Sequence, residues 1–270
     1  MNKYLRLFRL GNCVMGIIGI ITGAFIAVGF DILDHLVPIA IACAVVVVFM
    51  AGGNALNDYI DREIDKTAHP DRPVPRGEIT PIAARNLGIT AMLASVLLSL
   101  LLFNPLATVM VIICAVFMVL YETTFKQRGF IGNLTIAGLT AMIFVVGGTV
   151  VNSTESTILF GIMAFLVNVG REISKDIEDM ESDEGRRTLP MSIGPRKAAA
   201  VASAAFIIGP ILSIIPFVTG ELGPFYLLVL VADAMFLYCS YIVFTSAHSA
   251  QKYAKIAMFV ALFAFILGVI

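Results

Sequence analysis

Two stretches of this sequence place carboxylates where they could act together. The first reads Asn54-x-x-Asn57-Asp58-x-x-Asp61-x-x-x-Asp65, and the second carries Glu172, Asp176, Asp179 and Asp183. At about 100° per residue, Asn54, Asp58, Asp61 and Asp65 fall within roughly 60° of one another on a helix, as one acidic stripe. Glu172, Asp176, Asp179 and Asp183 repeat the same offsets of zero, four, seven and eleven. Like charges along a helix repel, and carboxylates near hydrocarbon are costly, so the two rows call for a cation. Oxygen donors without His or Cys favour Mg2+ or Ca2+ over zinc. Mg2+ commonly takes one or two carboxylates and leaves other positions to water and phosphate oxygens. Facing rows of this kind suit a metal-bridged diphosphate, with Asp58, Asp61 and Asp65 on one side and Asp176, Asp179 and Asp183 on the other. The plainer reading is two solvated helix ends paired with local Arg62, Arg171 and Lys175, but the matched spacing argues against coincidence.

Cations that could meet phosphate charge are Lys126, Arg72, Arg76, Arg171 and Lys175, and the hydroxyl of Tyr121 precedes Lys126 by five residues. Taken singly, each also reads as a topology determinant or an interfacial anchor. Arg9 and Asn12 open the first apolar run at headgroup level, where Asn12 either lines a substrate cleft or caps a helix. Asn168 lies near the second acidic row as a further substrate-binding candidate, and Asn54 is oriented toward the catalytic site with the first row. Asp233 lies inside an apolar run, where an interhelical hydrogen bond is the expected use. Only three His are present, and no Ser-His-acid or Cys-His set accompanies them.

The elements that must position these groups are membrane helices. The 270-residue chain is 59% hydrophobic and 14% charged with a mean hydropathy of +0.94, more apolar side chain than a soluble domain can bury. The formal net charge of -1 gives no basic surface for nucleic acid. Cys13, Cys43, Cys114 and Cys239 are scattered through apolar runs without metal-type or disulfide spacing. Apolar runs near 12–30, 36–53, 82–102, 105–121, 132–151, 157–173, 198–217, 222–244 and 254–270 predict an all-α polytopic protein with nine transmembrane helices. The basic start before the first run imitates a secretory leader, but the run is long and many like it follow, so it reads as the first span.

All 18 Lys and Arg fall at the N-terminus or in alternate connections, with Lys252 and Lys255 assigned to the eighth. The positive-inside rule then sets a cytoplasmic N-terminus and both acidic rows at the cytoplasmic face of the cell membrane. The two long connections, near 66–81 and 184–196, are rich in Pro and suit stiff cap loops over a single domain covering 1–270. No obligatory protein partner is evident in the sequence.

With Asn57-Asp58-x-x-Asp61-x-x-x-Asp65, Asp179-x-x-x-Asp183, the Tyr121 to Lys126 segment and the loop Asp71-Arg72-Pro73-Val74-Pro75-Arg76-Gly77, the chain resembles the UbiA superfamily of intramembrane prenyltransferases. The resemblance spans essentially the whole sequence. Within the superfamily, Asn168-Val-Gly-Arg-Glu-Ile-Ser-Lys-Asp-Ile-Glu-Asp179 and Arg186-Arg187-Thr188-Leu189-Pro190 look most like the archaeal digeranylgeranylglyceryl phosphate synthases. The resemblance implies Mg2+-dependent transfer of a geranylgeranyl group from its diphosphate to geranylgeranylglyceryl phosphate. It further implies a metal site at the helix ends, an apolar chamber below it entered sideways from lipid, and Lys126, Arg72 and Tyr121 assisting the departing diphosphate. Three rivals stay open on the residues alone. One is a prenyltransferase with a flat aromatic acceptor. Another is a CDP-alcohol phosphotransferase, whose Asp-Gly-x-x-Ala-Arg feature is absent. The third is a divalent-cation transporter, whose acids should line a path through the bilayer rather than cluster at one face.

Overall fold

The computed structural model describes residues 2–180 and 187–270. The described chain is helical: α1 is Leu10–Val28, α2 Leu36–Ile60, α3 Pro81–Ser99, α4 Pro105–Thr123, α5 Phe130–Val150, α6 Glu155–Glu178, α7 Pro195–Val218, α8 Val229–Ile242 and α9 Ala247–Val269. Short helices at Lys3–Leu7, Asp65–Ala68 and Leu189–Ile193 decorate the ends.

Among the described residues, eight helical stretches are long and apolar enough to cross a bilayer, the first being the 51 residues Leu10–Ile60. As one helix that stretch would measure about 77 Å, against a hydrocarbon core of about 30 Å. It doubles back instead. Gly29 takes φ +58°, a tight 3-10 segment runs Gly29–His35, and the start of α1 meets the end of α2 through Arg9 and Asp58. The expected division at residues 30 to 36 is therefore a hairpin bend.

Other breaks follow their local chemistry. Thr80 caps α3 by accepting from the Ala83 amide at 3.3 Å, and Asn104 caps α4 by accepting from Ala107 at 3.0 Å, each with Pro in the first helical position. Helix ends overrun the expected spans. α2 continues to Ile60, α6 to Glu178, and α9 begins at Ala247, because a helix goes on past the hydrocarbon edge where charges first appear. Lys252 and Lys255 thus lie on α9 and not in a connection.

The helices pack in sequence neighbourhoods, α2 on α3, α5 on α6, α6 on α7 and α8 on α9, with α1 leaning on α5 and α9 on α6. Gly23 and Gly147 let α1 and α5 touch. A Cβ on Gly147 would sit 2.5 Å from the Ile20 carbonyl oxygen, and one on Gly23 would sit 2.3 Å from that of Phe144. Small-residue contacts of this kind bring backbones together where lipid provides no hydrophobic drive between helices. Large apolar side chains such as Phe103, Leu97 and Val218 point outward, as in a protein whose solvent is hydrocarbon.

One end of the bundle gathers the starts of α1, α3, α5 and α9 and the ends of α2, α4 and α6. Over it fold the N-terminal helix and the segment 66–81, where Leu7, Val74 and Ile79 pack on Ala55 and Ala84. Of the second expected cap, residues 187–196 are described and 184–186 lie outside the described residues.

Candidate functional site

The first acidic row survives the end of α2 because the chain keeps turning. The Asp61 amide donates to the Asn57 carbonyl at 2.9 Å, and the Asp65 amide donates to that of Asp61 at 2.8 Å, so one carboxylate follows per turn. Asp58, Asp61 and Asp65 are all buried, at 1%, 8% and 2% exposure. Buried carboxylates need partners, and each has one. Arg9 reaches Asp58 Oδ1 at 2.7 Å, Arg72 reaches Asp65 Oδ2 at 2.5 Å and lies 3.9 Å from Asp58, and Lys126 pairs with Asp61. Arg9 achieves this from a left-handed backbone, φ +49°, uncommon for a non-glycine residue and consistent with a constrained position. Asn57 ties the group together. Its oxygen accepts from Arg9 at 2.6 Å, and its amide donates to Asp61 at 3.1 Å and to Glu122 at 3.2 Å.

The second row lies at the end of α6. Asp176 accepts from the Asn133 amide at 2.9 Å, the Asp179 backbone caps the helix by donating to Lys175 at 2.9 Å, and Glu172 pairs with Arg171. Asp183 lies outside the described residues.

One short segment joins the rows. Lys126, in the 3-10 turn after α4, holds Asp61, and Asn133, seven residues on in α5, holds Asp176. The segment is folded tightly back on itself. A Cβ on Gly132 would lie 2.8 Å from the Phe125 carbonyl oxygen and 3.5 Å from Lys126 Cα. The backbones presenting Lys126 and Asn133 are therefore in contact, and the two acidic rows flank them.

Two hollows adjoin this arrangement. A polar one of about 350 Å3 is bordered by Arg6, Arg9, Asp58, His69 and Arg72. A larger one, of about 400 Å3, runs down among α1, α5, α6, α8 and α9 with contributions from α2 and α7, lined chiefly by apolar side chains such as Met50, Phe144 and Phe236. Asn12, Asn168 and Arg171 border it. Asp233 also faces it and accepts the Ser213 hydroxyl at 2.6 Å, the interhelical hydrogen bond expected for a lone intramembrane acid.

Not every expected residue joins the acidic rows. Asn54 donates to the Phe8 carbonyl at 2.8 Å and pins the N-terminal segment to α2. Arg76 is exposed and pairs with Glu78 at 3.1 Å. Lys175 is exposed at the end of α6, Tyr121 is half-buried beside Glu122, and Asn168 donates to the Ala164 carbonyl at 3.0 Å. Two participants escaped the sequence reading. Glu122, buried to 3% exposure, shares Lys126 and Asn57 with Asp61, and Asn133 holds Asp176. For Glu122 a signal existed, its spacing of four residues before Lys126 on one helical face.

Among the described residues, no three carboxylate, His or Cys side chains converge as a closed metal cage. The donor chemistry nonetheless fits a hard divalent ion. The acids offer only oxygen, and Mg2+ binds with few carboxylates when a phosphate supplies the remaining oxygens. Their present positive partners show how much opposite charge the pocket can accept.

The pattern of the UbiA prenyltransferase family matches residues 16–263. A digeranylgeranylglyceryl phosphate synthase from Methanosphaera stadtmanae is 35% identical over 99% of this chain and 99% of its own length. A solved digeranylgeranylglyceryl phosphate synthase superposes with a TM-score of 0.85 at 33% identity, over 99% of this chain and 97% of that one. A UbiA homologue from Archaeoglobus fulgidus, bound to DMAPP and Mg2+, shares the fold with a TM-score of 0.70 at 19% identity, over 98% of this chain and 99% of that one.

Proposed function

From the premise that this chain belongs to the UbiA prenyltransferase family, we propose that it joins a geranylgeranyl group from geranylgeranyl diphosphate to the free hydroxyl of geranylgeranylglyceryl phosphate. The product is the second ether of an archaeal membrane lipid. The observation that carries this reading is the Lys126–Asn133 segment, which holds one acidic row on each side, with an apolar cavity bordered by Arg171 just before the second row.

In the reaction the allylic carbon–oxygen bond of the donor breaks and diphosphate leaves with the bonding electrons. The acceptor oxygen then forms the new carbon–oxygen bond and its proton is released. Asp58, Asp61 and Asp65, with Asp176, Asp179 and Asp183, are the residues that would hold Mg2+, which when bound supplies positive charge to the diphosphate oxygens. Lys126 and Arg72 already sit on the first row, and each has donors to offer the departing oxygens as negative charge develops. Tyr121 adds a hydroxyl beside Glu122. Arg9, Asn12 and Asn168 line the approach, while Asn54 keeps the N-terminal segment in place. Apolar side chains around the cavity hold the polyprenyl chains and keep water from the cation-like carbon. Lys126 is shared between Asp61 and Glu122, so one side chain links two buried carboxylates.

We read the bend at Gly29–His35 as a return within the membrane, giving nine crossings, a cytoplasmic N-terminus and a site facing the cytoplasm. The alternation of Lys- and Arg-bearing connections supports that orientation. The whole chain serves as one catalytic domain. The test is direct. Purified protein with geranylgeranyl diphosphate and Mg2+ is offered geranylgeranylglyceryl phosphate or an aromatic acceptor, and product masses are compared. A diether phosphate supports the reading, and prenylation of the aromatic ring alone overturns it.

A further inference from the structure

We propose that Lys255 and Arg171 together form a subsite for the phosphate of the acceptor lipid, separate from the carboxylates assigned to the donor diphosphate. The inference rests on the function proposed above and names which part of the acceptor that function recognises.

Helix register puts the two cations at one level. α6 and α9 run antiparallel. At one end Glu178 Oε1 lies 2.6 Å from His248 Nδ1 and Glu178 Oε2 accepts from Gln251 at 3.1 Å, and at the other end the rings of Phe160 and Phe265 meet with centroids 5.0 Å apart. Arg171 lies seven residues before Glu178, and Lys255 lies seven after His248. Seven residues are nearly two helical turns, so each side chain keeps the face of its reference residue and both descend by the same amount. Both border the 400 Å3 cavity.

The position is unusual for a lysine. Lys255 lies about 12 Å along α9 from Ala247, where the polar first turns give way to an apolar run, and it has no ion-pair partner among the described residues. Arg171 is half-buried and leans on Glu172. Among the described residues, Asp233 is the only one with a carboxylate bordering the cavity, and it is engaged by the Ser213 hydroxyl at 2.6 Å. Lys255 is exposed at the cavity's border, so its ammonium is open to an incoming anion. The anion that suits it carries a long apolar chain.

Spacing selects the acceptor over the donor. On α6, Arg171 precedes Asp176 by five residues, about 7.5 Å of rise, which is on the scale of a glycerol unit separating a phosphate from the hydroxyl that reacts. The donor diphosphate must reach both acidic rows, whereas a phosphate at Arg171 and Lys255 sits one step deeper, with its chain in the cavity. Two such cations also explain how one face of the cavity distinguishes a phosphorylated lipid alcohol from a neutral one.

The experiment uses the full chain in nanodiscs with Mg2+ and geranylgeranyl diphosphate, comparing geranylgeranylglyceryl phosphate with geranylgeranylglycerol. Wild type should prefer the phosphorylated acceptor. In Lys255→Met, kcat/KM for that acceptor should fall about tenfold or more through a raised acceptor KM, as expected for loss of a charge-assisted contact, and Lys255→Arg should recover most of it. The donor KM should move by less than about twofold. A Lys255→Met enzyme that prenylates the phosphorylated acceptor as wild type does, or a wild type indifferent to the phosphate, overturns the subsite and leaves the prenyl-transfer reading intact. A wild type that prenylates neither glycerol lipid overturns both.

Discussion

Lys126 pairs with Asp61 across 65 positions of sequence, and its Nζ also lies 3.4 Å from Glu122. The end of α4 is thereby locked to the end of α2, and one ammonium answers two buried carboxylates. Replacing it with Met leaves both acids facing each other without that charge. Lys126→Met should lower kcat by about 10²-fold or more while changing the donor KM far less, since the charge is needed most as diphosphate departs. Steady-state kinetics with varied donor checks this.

Asp61→Ala and Asp179→Ala should each reduce transfer by at least about 10²-fold, because each removes charge from one of the two rows. Both chains should remain helical and monodisperse in detergent. Mg2+-dependent turnover near the wild-type rate in either variant would remove that residue from the proposed set.

Gly132 keeps the bridge compact, since a Cβ there would press to 2.8 Å from the Phe125 carbonyl oxygen. Gly132→Ala should destabilise the protein by roughly 1–3 kcal/mol and lower kcat as well, because Lys126 and Asn133 shift together. Gly147→Ala, whose Cβ would meet the Ile20 carbonyl at 2.5 Å, should cost a similar roughly 1–3 kcal/mol in stability. Thermal unfolding and turnover measured on both variants separate the two effects. Activity per folded molecule should fall only for Gly132→Ala.

The N-terminal cap has an acid-sensitive tether. Arg6 donates to the Glu78 carboxylate and holds it below the usual glutamate range. A carboxyl depressed by a native partner contributes stability that is present above its unfolded pKa and is lost as pH falls through the lower folded value. Hydrogen exchange across residues 2–9 should therefore stay slow at neutral and mildly acidic pH and quicken only below the ordinary glutamate range. In Glu78→Gln it should be fast throughout.

Much of this was legible in the sequence because both signals are periodic. Apolar length marks the spans, and the zero, four, seven, eleven spacing of the acids marks one face of a helix. Asp58, Asp61 and Asp65 keep that spacing even where α2 gives way to a turn, through the hydrogen bonds at Asn57 and Asp61. Asn133 was hidden because it acts alone, at a helix start, with a partner more than 40 residues away, whereas Glu122 carried only the weak local signal of Lys126 four residues on. Asn54 has the right phase for the acidic face, yet its amide goes to Phe8, a tertiary contact that no local spacing encodes. Lys255 was misplaced into a loop for a simpler reason. A span boundary drawn at 254, between two lysines, cannot see that α9 begins seven residues earlier, at Ala247.

The central claim is that both acidic rows grip one diphosphate through divalent metal. It is tested most directly by a structure with Mn2+ replacing Mg2+ and a non-cleavable geranylgeranyl thiodiphosphate bound, in which anomalous scattering locates the metal. The account expects metal within about 2.0–2.3 Å of carboxylate oxygens from both the Asp58–Asp65 and the Asp176–Asp183 segments, with the diphosphate between them. Metal and diphosphate held by one segment alone, with the other turned away, would contradict it.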